Sequence, residues 1–190
     1  MRIGVYGYTD KRPVIYALLK LLHPTGDVAL FSNHRHYKRL LTDKSSHGHM
    51  ANIMVCISDS PPMEHMREHG YKDDDFEHIV FDLQDHIVAP LDMVFYVKSF
   101  APDDKEQAIL EQLNDPQLIK FTYDGKREKG AWHIVPQPLL WKRIEQIETY
   151  RILAPIPAKE LNKNLALTMA ASLGLKNKVA LKLLNRRWKE

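Results

Sequence analysis

Three groups of residues in this 190-residue chain have types and spacings suited to chemistry. The first is Gly7-Tyr8-Thr9-Asp10-Lys11-Arg12, set between an apolar run at 2–7 and a helical pattern at 13–22. A strand, a tight turn and a helix start, in that order, aim free N–H groups at an anion, so the junction is a candidate phosphate site. The second is histidine: His65-Met66-Arg67-Glu68-His69 matches H-x-x-E-H, in which two imidazoles on one helical face share a zinc and the glutamate polarises a water. Such a site needs a third ligand, and no downstream glutamate in a helical pattern supplies one. The expectation is therefore a solvated helix face, with His34/His36 and His47/His49 in solvated loops. Asp73-Asp74-Asp75 lacks calcium-loop spacing, and no Ser or Cys stands in a nucleophile elbow, so neither a metal site nor a catalytic residue is expected.

The third group is the basic tail. Residues 176–190 carry six Lys or Arg and one Glu, a net +5 in a chain of +3, which leaves −2 for the rest. On a helical wheel Ala180, Leu181, Leu183, Leu184 and Trp188 gather on one side. Lys178, Lys182, Arg186 and Lys189 lie opposite, and Arg187 interrupts the apolar arc. The apolar stripe is expected to pack onto the domain. The same helix also suits an anionic membrane interface or non-specific backbone contacts to DNA.

The elements that must position these groups follow from apolar periodicity. Strands are expected at 2–7, 27–31, 52–57, 77–82, 92–97, 118–122 and 132–135, several of them apolar on consecutive positions, as in strands covered on both faces. Helices are expected at 13–22, 33–41, 61–69, 103–114, 137–149, 158–173 and 176–188. Pro13 and Pro62 suit first-turn positions, and Gly70 and Gly174 suit helix ends. The segments 43–50 and 124–130 read as polar loops. Alternating strands and helices imply a three-layer α/β/α fold with a mainly parallel sheet, in one domain over 1–190. The lone Cys56 lies in an apolar run and is expected to be a buried, inert thiol. No leader-like start and no run near the roughly 18 apolar residues of a span is present, so a cytoplasmic protein is expected.

In layout the chain resembles the MinD/ParA branch of P-loop ATPases, especially its atypical members in pilus assembly and positioning systems. Gly7-Tyr8-Thr9-Asp10-Lys11-Arg12 occupies the slot of that family's G-G-V-G-K-T loop, keeping the first glycine and the lysine. Phe76-Glu77-His78-Ile79-Val80-Phe81-Asp82, with Asp85 after it, is similar to the Walker B strand and turn. Leu91-Asp92-Met93-Val94-Phe95-Tyr96-Val97 is similar to the strand that follows, and Trp132–Pro136 and Asn164–Gly174 to the family's closing elements.

The resemblance implies a P-loop NTPase-like fold and a nucleotide site, for ATP or ADP, drawing on Gly7, Thr9, Lys11, Asp82 and Asp85. It also implies a homodimer across the nucleotide face and a tail contact through Lys178, Lys182, Arg186, Arg187 and Trp188, to a membrane, the nucleoid or a protein partner. The departures matter as much. Asp10 stands where the family has a glycine, Arg12 where it has the threonine that holds Mg²⁺, and the branch's second lysine has no counterpart. A carboxylate about 4 Å from a phosphate charge costs about 4 kcal/mol at an effective dielectric of 20, or about a thousandfold in affinity. The expectation is a non-hydrolysing pseudo-ATPase acting as a positioning, partition or assembly adaptor. An enzyme for a small phosphorylated ligand and a DNA- or membrane-binding module are the alternatives.

Overall fold

The computed structural model describes residues 1–42, 45–85, 90–99, 103–113, 118–123, 131–134 and 137–188. Eight strands form one sheet: β1 (Arg2–Tyr6), β2 (Val28–Ser32), β3 (His47–Met50), β4 (Ile53–Ile57), β5 (His78–Leu83), β6 (Met93–Lys98), β7 (Leu118–Tyr123) and β8 (Ala131–Ile134). Their order is β3-β4-β2-β5-β1-β6-β7-β8, and only β3 runs antiparallel to its neighbour. The helices are α1 (Arg12–Leu22), α2 (Pro62–Glu68), α3 (Asp104–Gln112), α4 (Pro138–Tyr150), α5 (Ala158–Leu161), α6 (Lys163–Ser172) and α7 (Asn177–Asn185). A 3₁₀ helix, Arg35–Leu40, takes the place of the helix expected at 33–41.

Side chains alternate across the sheet and feed two separate cores. Ile3, Val5, Leu30, Val55, Val80 and Phe95 face α1 and α4 to α7, and this core holds most of the buried apolar residues. Tyr6, Phe31, Cys56, Phe81 and Tyr96 face the other way, onto Met66 of α2 and the apolar side of α3. Two covered faces explain the unbroken apolar runs of β1, β2 and β4. The molecule is an α/β protein with helices on both faces of a mostly parallel sheet.

Several local expectations need correction. Part of the loop expected at 43–50 is β3, joined to β4 by a two-residue turn with Ala51 at φ 48° and Asn52 at φ 61°. That turn type needs both central residues left-handed, and alanine there gives no sequence signal for it. The helix expected at 158–173 breaks at Asn162, whose side chain caps α6 by accepting from Asn164 N at 3.0 Å and Leu165 N at 3.4 Å. The tail helix stops at Asn185, because Arg186 is extended and Trp188 bridges back to Leu153. The segment expected as a loop at 124–130 lies outside the described residues, as do Pro136 and Lys189.

Candidate functional site

The junction after β1 lies where the sheet changes direction. From β1 the chain crosses to β2 on one side, and later from β5 to β6 on the other. Crevices in parallel α/β sheets open at such a point, outside the carboxyl ends of the strands. Gly7 makes the turn possible: its φ is 135°, and a β-carbon there would stand 2.1 Å from the Val97 carbonyl oxygen. The loop then carries Tyr8, Thr9 and Asp10 to Lys11, where α1 begins.

Lys11 is buried, not a solvated turn residue. Its ammonium donates to the Gly7 carbonyl at 2.5 Å and stands 3.0 Å from Asp82 Oδ1. Asp82 reaches this place because β5 pairs with β1 and β2 in a register that sets it beside Val5 and Ser32. Ser32 Oγ donates to Asp82 Oδ2 at 2.9 Å and accepts from His34 N at 3.0 Å. The His34 ring stands 3.9 Å from the same carboxylate, and burial holds its pKa below the usual histidine range. The buried aspartate is thus held by an ammonium and a hydroxyl.

A second charged layer lies above the first. Asp10 accepts from Arg12 N at 3.1 Å, and its carboxylate is forked by the Arg12 guanidinium at 2.6–3.0 Å. Burial works against the Asp10 charge, but the hydrogen bonds and charge of Arg12 outweigh it and keep the carboxyl below its ordinary pKa. Arg12 also donates to Glu148 Oε1 of α4 at 2.9 Å, which Tyr16 OH joins at 3.1 Å, while Arg39 approaches the other oxygen at 3.6 Å. An internal carboxylate therefore occupies the N-terminus of α1, where an anionic ligand would bind.

Tyr8, Thr9, Asp10, Lys11, Arg12, His34, His36, Tyr37 and Asp82 line a cavity of about 150 Å³. That admits a phosphate-sized group but falls short of the roughly 300 Å³ at which pockets for larger ligands begin. The opposite flank is acidic. Tyr8 donates to Asp85, and burial together with Asp85, Asp103 and Glu106 pushes the phenol up to about 12. Glu106, buried beside the end of β6, accepts from Tyr96 and from Ser99 N at 2.9 Å.

Of the residues singled out from sequence, Gly7, Thr9, Lys11 and Asp82 share the crevice, and Asp85 meets it through Tyr8. The tail residues lie apart. Ala180, Leu183 and Leu184 of α7 are buried in the α1-side core, and Lys178, Lys182, Arg186 and Arg187 are exposed. Trp188 is half-buried, stacked edge-on against His23 and covered by the Arg186 guanidinium. Lys20, fully buried on α1, holds this segment by donating to Leu153 O at 3.2 Å and Arg186 O at 2.5 Å. Burial pulls the Lys20 ammonium down to about 7.

Sequence reasoning missed Ser32, Tyr16, Arg39 and Glu148. Ser32 carried a signal, as the first polar residue after an apolar strand. Glu148 carried none, being one of two acids in α4.

Fold and crevice together define a three-layer α/β protein with an ion-paired pocket at the direction change of a mostly parallel sheet. Neither models of known protein families nor curated proteins of known function match the chain. Among the described residues, no helix is long and apolar enough to cross a membrane.

Proposed function

We propose that the protein is an atypical, non-hydrolysing relative of the MinD/ParA proteins, acting as a positioning, partition or assembly adaptor with a P-loop-like site that its own Asp10 fills. The observation that carries this reading is the contact between Lys11 and Asp82. These are the residues that the family resemblance assigns to the phosphate loop and the Walker B strand, and they stand 3.0 Å apart in one crevice. Asp10 supplies the rest of the argument, because it neutralises the helix N-terminus and Arg12 together. Arg12 in turn offers no hydroxyl to Mg²⁺. In this reading ATP or ADP binds only by displacing Asp10, and hydrolysis is absent.

One further observation favours a tail contact to polyanions over membrane insertion. The apolar side of α7 is already buried in the core, while its lysines face solvent. Non-specific contacts to DNA phosphates need only the exposed cations. Homodimerisation across the crevice face remains part of the proposal.

The test is calorimetry of ATP, ADP and inorganic phosphate, with and without Mg²⁺, on the wild type and on Asp10→Gly and Asp10→Gly/Arg12→Thr. The reading expects no wild-type binding at millimolar nucleotide and a gain of about a hundredfold or more once Asp10 is removed. Phosphate binding and turnover by the wild type would favour the small-substrate enzyme instead.

A further inference from the structure

The H-x-x-E-H run lacks a third ligand in sequence, and the fold brings a third histidine beside it. In the β3–β4 register His47 sits opposite Cys56, and directly paired residues share a sheet face. Cys56 belongs to the core under α2, so His47 is carried to the same side as His65 and His69. The His65 and His69 ring centres are 4.4 Å apart, and those of His47 and His69 are 4.7 Å apart. Imidazoles on one late transition metal, bound at about 2.1 Å, have ring centres about 4.6 Å apart at a right angle and about 5.3 Å apart at the tetrahedral angle, so the rings here stand at the short end of that range and open slightly to bind an ion.

We propose that His47, His65 and His69 form a zinc-class metal site that staples the β3–β4 hairpin to α2. His65 carries the argument. It is only 3% exposed, and among the described residues its buried Nε2 has no hydrogen-bond partner. Its Nδ1 stands 3.9 Å from Glu68 Oε2, so a small approach of the carboxylate would give the contact that orients a ligating imidazole. The orphaned Nε2 is costly unless something binds it.

His47 and His69 are exposed and give the ion an approach from solvent. Among the described residues no three donors yet converge on one point, so binding requires ring rotation about the soft terminal torsions. With three protein nitrogens, the fourth position would be filled by water. Imidazole ligands suit Zn²⁺, Ni²⁺ and Cu²⁺ over Mg²⁺ or Ca²⁺.

The experiment is zinc calorimetry on the untagged full chain, with the thermal midpoint and the optical spectrum of the Co²⁺ form as second readouts. One ion per chain is expected, with Kd below about 10 µM, weakened at least about tenfold in His47→Ala and in His69→Ala. Both substitutions fall at exposed positions, and circular dichroism of the zinc-free variants checks that they fold. Zinc should raise the midpoint of the wild type and not of His47→Ala. Less than one ion per chain at about 100 µM zinc, or an unchanged affinity in either variant, overturns the proposal.

Discussion

The crevice behind β1 and the histidine cluster under the sheet edge are both made of titratable side chains, and they are balanced in opposite ways. At the start of α1 the crevice charges are ion-paired from within: Lys11 with Asp82, Arg12 with Asp10 and Glu148. At the edge His65 Nε2 is buried without a partner among the described residues. The difference teaches that a sequence motif for ligand binding and an unmet demand for a ligand are separate properties. In the phosphate-loop slot Asp82 Oδ1, though it makes no hydrogen bond, has the Lys11 ammonium at 3.0 Å, whereas in the histidine run, which reads as a solvated face, His65 Nε2 has neither a hydrogen bond nor an ion pair among the described residues.

The sharpest way to break that contrast is to leave a crevice charge unpaired. Lys11→Met should cost about 3–5 kcal/mol in urea unfolding, because it leaves Asp82 as a buried lone carboxylate. Lys11→Met/Asp82→Leu should recover most of the loss, and a non-additive cycle between the two would measure the coupling. Equal losses in the single and the double variant would show that the pair contributes shape and not charge balance.

A smaller effect tests the other buried ammonium. The folded Lys20 value, about 7, lies below the unfolded value of 10.5, so the unfolded chain holds more protons between them. Stability should therefore rise with pH from 7 towards 9, by up to about 2 kcal/mol from this group, with the carbonyls of Leu153 and Arg186 reducing the amount because they favour the charged form. The Cys56 thiol opposes the trend above its ordinary value of 9.0, since burial pushes it up to about 12 and only the unfolded chain ionises there. Lys20→Met should flatten the slope between pH 7 and 9. An unaltered slope would place the titrating group elsewhere.

At the histidine edge, His47→Ala should leave zinc-free stability within about 0.5 kcal/mol of the wild type and remove the zinc-dependent rise in melting temperature. The smallest effect belongs to the tail. Lys178→Glu/Lys182→Glu should change stability by less than about 0.5 kcal/mol while weakening any DNA binding and flattening its salt dependence. Deleting residues 176–190 would be a poor substitute, because Ala180, Leu183 and Leu184 are core residues and the loss would unfold the α1 face.

Legibility in the sequence followed the range of the forces involved. Seven strands stood out as short apolar runs, several of them apolar on consecutive positions as in a sheet covered on both faces. β3, only four residues with two exposed histidines, exists by pairing with β4 and left no apolar run of its own. α7 was readable from its stripe, but its end was not, since Lys20 and Leu153 hold the extended segment after Asn185 from elsewhere in the chain. The turn at Gly7-Lys11 was visible as a strand–helix junction. Its charge balance depends on Glu148, which is 136 residues from Arg12, and on Ser32 beside Asp82, and no local pattern announces either. The third histidine was hidden for the same reason: His47 meets His69 only through strand register.

The most direct measurement is calorimetric titration of ATP, without and with Mg²⁺, into the wild type and Asp10→Gly. The account predicts no heat of binding from the wild type at millimolar nucleotide and a saturable isotherm from Asp10→Gly. Tight Mg-ATP binding by the wild type, unchanged or weakened in Asp10→Gly, would contradict a crevice filled by its own carboxylate.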